Sequence, residues 1–123
     1  MKIERFEDID SWKAGRDLTK SIYRLTRKAA FSNDFGIKDQ IQRASVSITS
    51  NIAEGFDSKT NKAFINFLNY SFRSASEIQS LLYAALDQDY ISKDEFQIVF
   101  DQCTTVKKLI GGFIRYLKNS SIK

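Results

Sequence analysis

A chain of 123 residues is long enough for one domain with a core of its own and too short for two of ordinary size. Apolar residues at 42%, charged residues at 28% and a net charge of +4 are those of a soluble globular protein, which excludes a disordered or a membrane-spanning chain. Histidine is absent, so there is no imidazole for acid–base catalysis, for a Ser-His or Cys-His dyad or for a zinc or iron site, and a ribonuclease working through an Arg and a His on one helix is excluded with them.

Proline is absent and glycine occurs only five times, so little in the chain would break a helix. The expected class is all-α. No apolar run approaches the roughly 18 residues of a membrane helix. Met1-Lys2-Ile3-Glu4-Arg5 lacks the apolar stretch of a secretory signal, so a cytoplasmic location is expected.

The first helix is expected over 11–30, with Asp10 or Ser11 as its cap. Trp12, Gly15, Thr19, Ile22, Thr26 and Ala29 share one face, with Leu18 and Leu25 at its edge. Lys13, Arg16, Lys20, Arg24, Arg27 and Lys28 line the other side, interrupted only by Asp17. Such a stripe suits RNA phosphate or an acidic protein surface, and equally the solvated outside of a bundle.

Ser32-Asn33-Asp34-Phe35-Gly36 is rich in turn formers and separates the first helix from a second over 36–54. Ile37, Ile41, Ala44, Ile48 and Ile52 form its core stripe, and Gly55 ends it. Beside that stripe runs a polar seam of Gln40, Arg43, Ser47, Asn51 and Glu54. Its charged members need partners on other helices or other chains, and the register of a hairpin with the third helix puts Arg43 level with Phe72 and Arg73 and one turn from Glu77, within reach of a bond. That seam reads as structural, fixing register or lining a subunit contact.

A third helix is expected over 60–88, capped by Ser58 or Thr60, with Phe64, Phe67 or Leu68, Ser71, Ala75, Ile78, Leu82 and Ala85 or Leu86 inward. Ile65, Phe72, Tyr83, Tyr70 and Leu81 widen its apolar arc to about 200°, against the roughly 100° a surface helix needs. A fourth helix over 92–118 opens on a Ser92–Glu95 capping box and turns Phe96, Val99, Cys103, Val106, Ile110, Phe113, Ile114 and Leu117 inward. Cys103 in that stripe reads as a buried, inert thiol. Ile98, Leu109 and Tyr116 form a second apolar seam, and Gly111-Gly112 implies close packing or a bend. The tail 119–123 is expected to fray.

Short connections between four long helices predict an antiparallel up-down-up-down left-handed four-helix bundle. The acidic corner of Asp87, Asp89, Asp94, Glu95 and Asp101 then shares an end with Arg24, Arg27, Lys28 and Lys38 and neutralises part of the basic stripe. The surplus apolar surface calls for self-association, with Tyr70, Phe72, Leu81, Leu109 and Tyr116 in the contacts.

The run QIQRASVSITSNIAEG (40–55) resembles the signature of the four-helix-bundle family of 23S rRNA intervening-sequence proteins, small bacterial proteins found as reading frames inside insertions in ribosomal RNA genes. Phe6-Glu7-Asp8-Ile9-Asp10-Ser11-Trp12-Lys13-Ala14 is similar to the family's opening, and Phe64 to Leu68 through Ser74 to Glu77 to its third-helix pattern. Thr49 stands where the family often has proline, and Arg73 where glycine is common. The resemblance implies a homopentamer around a central channel. Relatives that accompany diversity-generating retroelements look like basic pentameric partners of a reverse transcriptase and its RNA.

Three functions follow as expectations. The first is a non-enzymatic scaffold for structured RNA or a ribonucleoprotein. The second is a protein-only adaptor that docks an acidic partner through the basic face of the first helix. The third, an enzyme, would need a deep pocket joining Arg43, Glu54 and Glu77 around a ligand. No cofactor or metal is expected, since Glu54 and Glu77 alone do not make a di-iron site and no phosphate-cradling glycine loop is present. Neither a membrane nor a small-molecule substrate is expected as a partner.

Overall fold

Residues 3–120 are described by a computed structural model. A 3-10 turn, Phe6–Asp8, leads into helix α1, Asp10–Thr26. The one-turn α2, Ala29–Ser32, follows, then the long helices α3, Phe35–Phe56, α4, Asn61–Asp87, and α5, Lys93–Asn119. Among the described residues there is no strand. The expected fraying of 119–123 falls largely on 121–123, outside the described residues.

Facing partners run in opposite senses along each seam. Gln40, Ser47, Ile48 and Gly55 of α3 meet Glu77, Ser74, Ser71 and Phe64 of α4. Tyr83, Gln79 and Phe64 of α4 meet Phe96, Thr104 and Phe113 of α5. Gly15 and Thr19 of α1 meet Thr49 and Ser45 of α3, and Lys28 just beyond α1 meets Glu95 at the start of α5. The four long helices are therefore antiparallel neighbours in a ring ordered α1, α3, α4, α5, and α5 closes back on α1. This is the four-helix bundle that the apolar periodicity predicts.

The core is aliphatic. Leu18, Ile22, Ile41, Ile48, Ile52, Leu68, Ile78, Leu82 and Ile110 are fully buried, and each such side chain contributes about 1.5–3 kcal/mol of transfer free energy. Cys103 lies among them, and burial pushes its thiol up to about 12, so it stays protonated and unreactive.

Helix ends depart from expectation more than helix middles. The cap of α1 is Ile9, with no side-chain bond; Asp10 is already helical, and the Ser11 hydroxyl is buried without a partner. α1 also stops at Thr26, short of residue 30, because Lys28 turns to an extended ψ of 140° and lets α2 bury Phe31 completely. The core face of α1 consequently centres on Leu18, Ile22 and Leu25, while Ala29 is exposed and Trp12 and Thr19 are half-buried. Gly55 does not end α3, which runs on to Phe56 with Asp57 as its cap and no left-handed glycine. Two N-terminal caps do follow the sequence: Thr60 accepts from the Ala63 amide, and Ser92 and Glu95 form a reciprocal capping box.

The corner where α2, α3 and the α4–α5 connection meet is held by Asp34. One of its carboxylate oxygens accepts the Ile37 amide and caps α3, and the other accepts the Tyr90 hydroxyl at 2.8 Å. Asp89 takes a left-handed φ of 60° just past α4, which turns the chain so that the Tyr90 amide reaches the Ala85 carbonyl and its ring stacks on Phe31.

Two titrations act near this end. The bond to Asp34, then burial, raise the Tyr90 phenol above its ordinary value. A raised phenol stabilises the fold below its unfolded pKa and loses that contribution as pH climbs through the folded one. Glu95 moves the other way, lowered first by its bond to Lys28 and then by the Ser92 amide. Its contribution is present above the unfolded carboxylate pKa and lost as pH falls through the folded value. Thermal melts against pH are therefore expected to fall at both extremes. Tyr90→Phe should flatten the alkaline limb and Glu95→Gln the acid limb; limbs unchanged by these substitutions would disprove the assignment.

Candidate functional site

The exposed face of α1 is basic. Lys13, Arg16, Lys20, Arg24, Arg27 and Lys28 are all solvent-exposed, as their helical spacing predicts. Glu95 holds the Lys28 ammonium at 2.6 Å, so the acidic corner neutralises one end of the stripe. The other five form no ion pair with any described residue, and Asp17 pairs with none of them. Low-cost long-range attraction for an anion follows, because no intramolecular bond must break first.

Beside the stripe runs an open groove of about 600 Å³, lined by Trp12, Arg16, Thr19, Lys20, Tyr23 and Arg24 of α1, by Arg27 just beyond it and by Thr49 of α3. Close by, α3 approaches Gly15 so tightly that a Cβ would sit 2.9 Å from Ile48 Cγ2 and 3.2 Å from Thr49 Cγ2. The Thr19 hydroxyl donates to the Gly15 and Ser45 carbonyls, leaving a small residue between two aromatic ones. Trp12 stands at one end with Phe6 edge-on at 5.2 Å and the Arg16 guanidinium 5.9 Å over its ring. Tyr23 stands toward the other end and is 37% exposed. Sequence reasoning assigned Trp12 to the core and did not place Tyr23 at all. The signal was available: eleven residues are three helical turns, so both project to the same side as Arg16 and Lys20.

The polar seam of α3 divides. At its centre, the Ser47 and Ser74 hydroxyls lie 2.8 Å apart across α3 and α4, and the Asn51 amide donates to the Ser47 carbonyl at 2.8 Å and hydroxyl at 3.0 Å. At its ends the side chains leave the bundle. Gln40 donates to Glu77, whereas Arg43 pairs with Asp39 in its own helix at 3.5 Å with both groups largely exposed. The expected Arg43–Glu77 bond does not form, because the two are level along the hairpin while Arg43 points off the seam. Glu54 is exposed and unpaired among the described residues, so Arg43, Glu54 and Glu77 do not converge on a pocket.

A second polar cluster went unread. Gln79 is buried in α4; its amide nitrogen donates to the Phe100 carbonyl and the Thr104 hydroxyl, and its oxygen accepts from Lys107 at 3.1 Å. Lys107 also lies 5.0 Å over the Phe72 ring. The cluster ties α4 to α5, as the Ser47–Ser74 pair ties α3 to α4.

The residues expected in subunit contacts spread over separate seams. Tyr70 is 51% exposed, with Phe67 and the Arg73 guanidinium against its ring, and Leu81 is half-buried three turns further along the same side. Phe72 is half-buried facing α5. Leu109 and Tyr116 flank a cavity of about 260 Å³ against Ile9 and Ser11, with Tyr116 50% exposed. Gly111 and Gly112 are not closely packed within the subunit: a Cβ on either meets only the Arg115 guanidinium, at 3.7 and 3.8 Å.

Among the described residues no group of three or more His, Cys, Asp or Glu is placed to hold a metal, and no helix is long and apolar enough to cross a membrane.

Residues 7–112 match the model of the 23S rRNA-intervening sequence protein family. Among solved structures, the chain is similar to a protein with unknown function from the S23 ribosomal protein family of Bacteroides thetaiotaomicron. The two are 24% identical with a TM-score of 0.79 over 85% of this chain and 98% of the other, a likeness of fold. No curated protein matches the sequence.

Proposed function

The chain belongs to the 23S rRNA-intervening sequence protein family, and from that membership and the basic face of α1 we propose that it is a non-enzymatic, self-associating cytoplasmic scaffold for structured RNA or a ribonucleoprotein. The observation that carries the reading is the set of five exposed cations, Lys13, Arg16, Lys20, Arg24 and Arg27, that have no ion-pair partner among the described residues. Cations that neutralise phosphates release condensed counterions, so binding of this kind weakens steeply with salt. Self-association draws support from Tyr70, Tyr83, Ile98 and Tyr116, all at least half exposed on α4 and α5; the number five is what the family resemblance implies.

Titration of a labelled structured RNA at rising salt tests the reading. Five phosphate contacts predict an affinity falling about 500-fold between 50 and 200 mM salt. Undetectable binding at low salt, or binding indifferent to salt, would sink it. Sedimentation at micromolar concentration should show an assembly, and a monomer there would remove the oligomeric part of the proposal.

A protein-only adaptor is the second reading, favoured by the contact between Lys28 and Glu95, in which a carboxylate already takes one cation of the stripe. In that case an acidic protein, and no RNA, is retained by the α1 face.

A further inference from the structure

We propose that the groove between α1 and α3 seats an unpaired RNA segment, with Tyr23 as the stacking face for a base and Lys20, Arg24 and Arg27 gripping phosphates around it. The inference rests on the nucleic-acid reading above and specifies which form of RNA the surface takes.

The state of the exposed aromatics singles out Tyr23. Phe35 lies under Lys38, Tyr70 against Phe67 and Arg73, Tyr83 between Phe96 and Phe100, and Tyr116 on Phe113. Tyr23 alone of the exposed aromatics has no aromatic or cationic neighbour against its ring among the described residues. It is also the one placed among unpaired cations. An aromatic ring beside a basic track is the arrangement that binds single strands, whose bases offer a free π-face; a duplex keeps its bases stacked and offers no base face to the ring.

Charge fits the same occupant, since no carboxylate lines the groove. Arg16 to Arg27 spans about 16 Å of helix, the length of a short run of nucleotides. An acidic peptide would satisfy the cations but would leave the ring of Tyr23 without a stacking partner.

Trp12 is the chain's only tryptophan and stands in the groove, so its emission reports on occupancy directly. The experiment titrates the full chain with a short oligouridylate, with duplex RNA of the same length and with polyglutamate, for wild type, Tyr23→Ala and Tyr23→Phe. Oligouridylate is expected to change Trp12 emission and to bind more tightly than the duplex. Tyr23→Ala should weaken oligouridylate binding about tenfold while leaving duplex binding and the salt slope unchanged, and Tyr23→Phe should bind like wild type. Equal affinity of Tyr23→Ala and wild type for oligouridylate, or a duplex that binds as tightly as the single strand, overturns the stacking role and leaves the wider RNA reading standing. Tighter binding of polyglutamate assigns the groove to an acidic protein instead. No binding of either RNA at low salt removes both proposals together.

Discussion

Reversing Arg16, Lys20, Arg24 and Arg27 to glutamate together is expected to abolish RNA binding at 50 mM salt without unfolding the bundle. Each reversal shifts the net charge by two, so the four carry it from +4 to −4 and replace an attractive field by a repulsive one. The fold should tolerate the change because none of the four holds an intramolecular ion pair among the described residues. Surface substitutions of this kind usually cost within about 0.5 kcal/mol each. Circular dichroism should therefore overlay on wild type while the binding isotherm goes flat. Unaltered affinity in the folded variant would show that RNA meets some other surface. A variant that keeps its RNA but drops an acidic protein in a pull-down would establish the adaptor reading.

The second large effect is one of sign. Gly55→Ala would raise the helix propensity of α3, yet it is expected to destabilise the protein. A Cβ there meets Phe64 Cδ1 at 2.6 Å and Phe67 Cβ at 2.9 Å, and the second of these cannot move without the α4 backbone. Overpacking at such a contact costs about 2 kcal/mol, a fall in Tm of roughly 5–12 °C. Gly111→Ala and Gly112→Ala meet only the mobile end of Arg115 and should each raise stability by about 1 kcal/mol. A thermal melt of the three variants checks the contrast, and a stabilised Gly55→Ala would mean that the hairpin is looser than described. If the α5 face is used in assembly, the two α5 variants should also sediment as smaller species despite their firmer fold.

The helices of this protein could be read from its sequence because their apolar residues recur with so little interruption. Ile41, Ala44, Ile48 and Ile52 are buried where a period of 3.6 places them, and the capping box at Ser92 is local chemistry, visible in four residues. Features that depend on distant parts of the chain were not legible. Nothing local ends α1 at Thr26; the end comes from Phe31 folding under Tyr90, fifty-nine positions away. Register put Arg43 within a turn of Glu77 but could not fix the direction of a long, exposed side chain. Gln79 was overlooked because it sits in an otherwise apolar face of α4, where its partner carbonyl on α5 is invisible before the helices are docked. For the groove, the cations were legible from spacing alone. Its depth was not, because it depends on how α3 seats Thr49 against α1.

The order of helices around the ring has one more consequence. α1 and α3 occupy one side and α4 and α5 the opposite side, so copies joined through α4 and α5 would keep every α1 groove facing outward. An RNA long enough to reach from one copy to the next would then find its second seat by tethered search rather than by diffusion from bulk. Multivalent attachment of that kind raises apparent affinity by about 10²–10⁴ with no new contact, so a modest grip at each subunit suffices for slow release of the whole strand.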